Sequence, residues 1–301
     1  MLVGDALTYA VLQPLLSLTK TPHATLVMGL DITWNNRPYR AVAHRALRRA
    51  PLVLAISSAT ARTAMTVAGV DRSRIEVLRL GLPMPPDGAT KDAARVAVRR
   101  LLGLTDDTSI LLTVGRLVRR KGARWFIENV LPELPDDVLY VIAGDGPERA
   151  AIERAANRNG LGARVRLLGR ISDEERELLF RGSDIFLQPN VPVENDMEGF
   201  GLVTIEAAMR DTLTLASELE GICDAVVNGE TGILLPPQEP DVWAARLRQL
   251  LGDRSAAFSL GKRYGAQARA LYSENTMASA LRELIGVGPS TLVQANDTAR
   301  S

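Results

Sequence analysis

The 301-residue chain has one cysteine, Cys223, and two histidines, His23 and His44. A lone cysteine excludes an intrachain disulfide and a cysteine-rich metal site, and it fits a reducing compartment, with the cytoplasm as the expected location. Net charge is missing too: 36 Lys and Arg against 35 Asp and Glu leave +1. No global field argues for nucleic acid, so any anion must be met by a local cluster. No apolar run reaches the ~18 residues of a membrane span. The opening stretch "MLVGDALTYAVLQPLLSLTK" lacks the basic region and cleavage site of a signal peptide, and Asp5 precedes its apolar run, so it predicts a core-facing helix. There is no internal sequence repeat.

What is present is a hydrophobic content of 46% and a mean hydropathy of +0.02, the composition of a globular chain able to hold two domains. Short apolar runs at 110–116, 138–144, 165–169, 184–189, 213–217 and 232–236 alternate with helical periods near 122–131, 147–159, 173–182, 200–209 and 221–227. Six strands separated by helices predict a doubly wound parallel sheet. Beyond Pro240 the pattern is helical only, and residues 286–301 have no periodicity and read as a disordered tail. Ahead of it, runs at 24–29, 52–57 and 75–80 predict a smaller sheet. The expected organisation is therefore a partial Rossmann-like domain at 1–82, a Pro- and Gly-rich linker at 83–94, and a second Rossmann-like domain with its C-terminal helices at 95–285.

Three stretches carry candidate chemistry. In "VGRLVRRKG", residues 114–122, a strand ends in glycine and is followed by Arg116, Arg119, Arg120 and Lys121. Ligands of open α/β sheets sit at the carboxyl ends of strands, and such a cation cluster suits a diphosphate. A solvated basic turn is the other reading. "AGDGPER", residues 143–149, has Arg149 where a dinucleotide fingerprint needs its third glycine, so a plain turn is favoured over a nicotinamide site. "VPVENDMEGFGLVTIEAAM", residues 191–209, puts Glu198 in a loop before a helix that carries Glu206. Free N–H groups at that helix start attract phosphate, and carboxylates accept sugar hydroxyls. Two ordinary acids beside a helix start is the plainer account of that stretch alone; the basic cluster at a strand end of the same sheet shifts the balance.

Taken in order, "TVGRLVRRKG", "VIAGDGPER", "VRLLGRIS", "GSDIFLQPN", "EGFGLVTIEA" and "AVVNGETGILLPP" resemble the GT4-type retaining glycosyltransferases, which have the two-domain GT-B fold and use nucleotide-sugar donors. The resemblance covers nearly all of 105–285 and, more loosely, 1–82. It implies two Rossmann-like domains facing a cleft. It also implies that Gly115, Arg116 and Lys121 meet the donor diphosphate, and that Glu198 holds the transferred sugar. Backbone amides around Phe200, Gly201, Leu202 and Val203 would meet phosphate, Glu206 the ribose, and Ile171 the base. Glu198, Arg116 and Lys121 are the implied catalytic groups. Fixed cations replace a divalent metal, consistent with the lack of an Asp-x-Asp pair near a strand end, so no cofactor or metal is expected.

The chain departs from that pattern in places. Asp211 and Leu213 stand where a glycine-proline pair is common, and Met28 stands where many members carry a histidine that faces the sugar. His23 and His44 are read as structural or surface residues. The first domain is expected to lack its initial strands. The leading expectation is thus a retaining hexosyltransferase acting on an unidentified hydroxyl acceptor. The alternative is a truncated or nucleotide-sugar-binding subunit that needs a second chain. For "RALRRAP", residues 45–51, a solvated helix face is favoured over peripheral contact with the inner face of a membrane.

Overall fold

The computed structural model describes residues 1–286 apart from Lys20, Thr105, Asp106 and Asn195. The expected tail therefore lies outside the described residues, save Gly286. The chain forms two units, Met1–Pro83 with the segment from Leu271 onward, and Met84–Ala270.

The first unit is a four-stranded parallel sheet in the order β1-β2-β3-β4, from β1 (Leu2–Val3), β2 (Ala24–Val27), β3 (Val53–Ala55) and β4 (Ile75–Val77). Its helices are α1 (Ala6–Thr19), α2 (Leu30–Thr33), α3 (Arg37–Leu47) and α4 (Ser58–Thr66). β1 was not expected, since two residues are too short to show a period of two. Asp5 then caps α1, accepting the N–H groups of Leu7 and Thr8 at 2.9 and 2.8 Å. One face of the sheet packs Tyr9, Leu47, Val27 and Ile75 into a single core. The histidines are tied into this unit: His44 Nε2 lies 2.9 Å from Ile32 O and is buried, and His23 Nε2 lies 3.1 Å from the Tyr9 hydroxyl.

The second unit holds six parallel strands in the order β10-β9-β8-β5-β6-β7. They are β5 (Ser109–Val114), β6 (Val138–Ala143), β7 (Val165–Gly169), β8 (Ile185–Gln188), β9 (Leu213–Ser217) and β10 (Ile233–Leu235). The helices are α5 (Lys91–Leu102), α6 (Ala123–Asn129), α7 (Arg149–Arg158), α8 (Asp173–Gly182), α9 (Leu202–Ala208), α10 (Ile222–Ala225), α11 (Pro240–Gly252) and α12 (Arg254–Leu271). Phe126, Tyr140 and Trp243 fill one face, Phe180, Phe186 and Val141 the other. Both faces are covered at the centre of the sheet, which is why β5, β6 and β8 read as near-continuous apolar runs, whereas the edge strand β7 carries exposed Arg166.

Two boundaries need correction. Residues 83–94 are not all linker, because Thr90 accepts the Ala93 N–H at 3.3 Å and starts α5 at Lys91. The last helix, α13 (Glu274–Leu284), does not extend the second domain. It lays Met277, Leu281 and Leu284 against Ala24, Leu54 and Leu78 of the first sheet. Leu82 fastens the return, donating to Tyr272 O at 2.8 Å and accepting from Glu274 N at 3.1 Å. An amphipathic period marks a face to be buried, not the sheet that buries it.

Candidate functional site

In the second unit the strand order reverses between β5 and β8, and ligands of such sheets bind outside the carboxyl ends of the strands at that point. The loops leaving these two strands carry Lys121 and Glu198. After β5 a single 3-10 turn, Arg119–Lys121, is followed by Gly122 at φ 68. A Cβ on Gly122 would lie 1.8 Å from Pro189 O, so only glycine lets the turn settle on the end of β8. Val191 N donates to Arg120 O at 2.9 Å and staples the two loops together.

That staple brings opposite charges into contact. Lys121 Nζ lies 2.5 Å from Glu198 Oε2, with side chains 13% and 11% exposed. Arg120 Nε lies 3.7 Å from the same oxygen and Arg120 Nη1 3.6 Å from Asp196 Oδ1. Asn190 Nδ2 donates to Glu198 Oε2 at 3.2 Å and Gln188 Nε2 at 3.5 Å. Ser217, at the end of β9, donates to Asn190 O at 2.7 Å. Burial pushes the Glu198 carboxyl up, but Lys121 and Arg120, with hydrogen bonds from Lys121 and Asn190, outweigh it and hold the group below its ordinary value. Gln188 Oε1 and Asn190 Oδ1 are buried with no hydrogen-bond partner among the described residues. A buried unpaired acceptor costs ~1–3 kcal/mol.

The other expected residues surround this pair to different degrees. Gly115 N donates to Ala143 O at 2.9 Å, and Arg116 beyond it is exposed, its side chain in no ion pair among the described residues. Gly201 at φ 90 opens α9, Phe200 is buried, and Leu202 is 37% exposed. Ile171 and Val203 pack on the apolar cluster that holds Phe180 and Phe186. Glu206 is not part of the Lys121–Glu198 group. Burial raises its carboxyl above the ordinary value, Arg176 and Arg210 oppose the rise, and Asp173 and Glu177 add to it. "AGDGPER" forms a turn against the loop after β5, with Leu117 N donating to Asp145 O and Glu148 N to Leu117 O, both at 3.0 Å.

Sequence reasoning missed Gln188, Asn190, Asp196 and Glu220 as neighbours of Glu198, and it did not separate Arg120 from Arg119. The polar pair Gln188 and Asn190 at the end of an otherwise apolar strand was a usable signal; Glu220 offered none. Met28 follows β2 and is 46% exposed, its N–H donating to Asp31 Oδ1 at 2.9 Å. Among the described residues no helix is long and apolar enough to cross a membrane, and no three His, Cys, Asp or Glu are grouped to hold a metal ion.

Two α/β units, each with its own parallel sheet, are the GT-B type of fold. The chain belongs to the glycosyl transferases group 1 family, which matches residues 97–270, more than half of its length. It is 29% identical over 222 residues to a D-inositol 3-phosphate glycosyltransferase of Corynebacterium urealyticum, a match covering 71% of this chain and 51% of that protein. Against an alpha-D-kanosaminyltransferase of Streptomyces kanamyceticus it is 34% identical over 167 residues, 55% of this chain and 42% of that one. The chain thus spans about half the length of the curated relatives it matches. Its fold is shared with Anabaena HepE in complex with UDP (TM-score 0.81, 20% identity, 95% of this chain and 78% of that one). It is shared as well with sucrose-phosphate synthase of Thermosynechococcus elongatus (TM-score 0.77, 23% identity, 98% and 73%).

Proposed function

We propose that the chain carries the donor side of a retaining glycosyltransferase that moves a hexosyl unit from a nucleotide-diphosphate sugar to a hydroxyl acceptor. The observation that carries this reading is the Lys121–Glu198 pair, held where the strand order reverses. Lys121 has three N–H donors, so it can keep one on Glu198 while turning others toward a diphosphate. Exposed Arg116 supplies a second cation on the same loop. Together they offset the charge that builds as the nucleoside diphosphate leaves. Glu198, kept ionised, accepts hydroxyls of the transferred sugar, and Glu206 accepts those of the ribose.

For transfer with retention, the bond from the anomeric carbon to the phosphate oxygen breaks while the acceptor oxygen bonds to the same face. The acceptor proton passes to the departing phosphate oxygen, so no protein nucleophile is required. Fixed cations do the work that a divalent ion would do, and no metal enters this reading. The relatives by name use inositol phosphate and kanosamine chemistry and the structural neighbour holds UDP, which makes UDP-sugars the first donors to try. Calorimetric titration with UDP-glucose, GDP-mannose and related donors tests the reading. Absence of binding by every nucleotide diphosphate would overturn it.

A second reading is a nucleotide-sugar-binding subunit that turns over only with a partner chain. It is favoured by an exposed apolar stripe on α1, where Leu7, Val11, Leu15 and Leu18 are 46%, 72%, 58% and 82% exposed, beside the edge strand β1. A monomer on size exclusion that transfers sugar alone would exclude it.

A further inference from the structure

Glu198 is held twice, and its second restraint is a residue with no role so far. At the side chain it meets Lys121, Asn190 and Gln188. At the backbone, both polar atoms of the same residue are taken by the turn between β9 and α10. Glu198 N–H donates to Glu220 Oε2 at 2.5 Å, and Gly221 N–H donates to Glu198 O at 3.1 Å. The two loops touch without slack: a Cβ on Gly221 would lie 2.1 Å from Gly199 O and 2.8 Å from Glu198 O.

Glu220 itself sits at φ 50, a left-handed conformation that a residue with a Cβ adopts at a cost. Glycine would take that conformation freely, so the turn bears strain that its own geometry does not require. What the glutamate adds is its carboxylate, and that carboxylate is spent on the Glu198 amide. Arg120, Asp196 and Glu198 are the charged groups that face it.

We infer that Glu220 is a positioning residue: its carboxylate and the Gly221 amide clamp the Glu198 peptide, and thereby aim the Glu198 carboxylate at the transferred sugar. This rests on the proposed role of Glu198. The clamp acts through backbone, so a charge-assisted bond from a neighbouring loop sets the placement of a side chain that is not its own partner.

The decisive variant is Glu220→Gly, which removes the carboxylate and relieves the left-handed strain together. A residue that only stabilised the fold would lower the melting temperature when removed. Here the melting temperature is expected to hold or rise. Amide exchange at Glu198 should speed up about ten-fold or more, with strands β5 and β8 unchanged. With whichever donor the calorimetric panel selects, kcat should fall about ten-fold while the dissociation constant of the free nucleoside diphosphate stays within about two-fold. Glu220→Gln, which keeps an oxygen acceptor, should recover most of the turnover. Unchanged exchange at Glu198 in the glycine variant would overturn the clamp without reference to any ligand. Faster exchange with wild-type turnover, in a protein where Glu198→Gln abolishes turnover, would overturn the positioning role and leave the function standing. Wild-type turnover in Glu198→Gln would remove the role of Glu198, and the positioning role with it.

Discussion

Replacing Lys121 with alanine should damage the protein in two separable ways. In the free protein it removes a 2.5 Å ion pair whose side chains are 13% and 11% exposed. Breaking a fully buried pair from one side costs ~3–5 kcal/mol. Here Arg120 at 3.7 Å and Asn190 at 3.2 Å remain on Glu198 Oε2, so about 2–3 kcal/mol is the expected loss. For a unit the size of Met84–Ala270 that shifts Tm by about 5–10 °C. The loss should shrink on acidification. In the wild type the Glu198 carboxyl lies below its ordinary value, so its contribution is present above the unfolded pKa and lost as pH falls through the folded one. Without Lys121 burial dominates, protonation becomes favourable, and the variant gains on the wild type toward pH 4. In the ligand arm, one charge-assisted phosphate contact is worth about 1.5–3 kcal/mol, so UDP, GDP and ADP should all bind ~10- to 150-fold more weakly. Thermal melts at several pH values and calorimetry measure both arms. A double variant, Lys121→Met with Glu198→Gln, should recover much of the lost stability, because no charge is left unpaired. A Tm within 1 °C of wild type in Lys121→Ala, or additive losses in the double variant, would refute the buried pair.

Three further expectations follow from the same geometry. Glu198→Gln should lower turnover at least ~100-fold with nucleotide affinity within a few-fold if, as proposed, it meets the sugar side of the donor; steady-state kinetics beside calorimetry decides, and intact turnover would reject the role. Glu206→Ala should erase a preference for UDP over 2′-deoxy-UDP of about ten-fold or more while sparing Tm, because its carboxyl is already disfavoured by burial and by Asp173 and Glu177; equal preference in both proteins would reject the ribose contact. Lys91, at the start of α5, is pushed down to about 8 by burial, with Asp184 opposing. Its folded pKa lies below the unfolded 10.5, so the unfolded chain binds more protons between about pH 8 and 10.5 and stability rises with pH there, by roughly 3 kcal/mol at most. Urea melts at pH 7.5 and 10 should show that rise in the wild type and not in Lys91→Met, and parallel profiles would refute it.

Much of the second unit was legible because parallel strands buried on both faces cannot hide: β9, buried throughout, coincides with its predicted run at both ends, as does the more exposed edge strand β7. Lys121 and Glu198 could be singled out from the order of the motifs that carry them, but their contact could not, because it depends on the packing of the loops after β5 and β8. Other features were not legible, for physical reasons. β1 spans two residues, and no pattern of period two can be read from two residues. α13 shows its apolar stripe plainly, yet the sheet it covers is decided by the Leu82 hydrogen bonds, a contact far away in sequence. Glu220 lies in "ELEG", which reads as an acidic turn, and nothing local announces that its carboxylate reaches 22 residues back to Glu198.

Among the described residues of the second unit, the charge group around Asp184 is buried as well as the one around Glu198, and electrostatics alone does not separate the two. At the start of β8, Asp184 pairs with Arg95 at 3.1 Å and Arg99 at 3.5 Å, with Lys91 nearby. Asp184 is 3% exposed against 8% for Glu198, so burial does not mark out the Glu198 group. What separates the two is where they lie and what closes them. Asp184 accepts the Ile110 N–H at 2.7 Å, and Phe258 lies over Lys91 and Arg95 with its ring centroid 5.3 and 4.1 Å away. That group joins α5 and α12 to the amino ends of β5 and β8, where a doubly wound sheet offers no crevice. Glu198 lies past the carboxyl end of β8, where the strand order reverses, on a neighbouring loop to exposed Arg116. Its partners come from the end of β8 and from loops rather than helices, and Gly122 and Gly221 let those loops close on one another. It is this position, past the carboxyl ends where the strand order reverses, that supports the proposed donor role for the Glu198 group rather than for the Asp184 group.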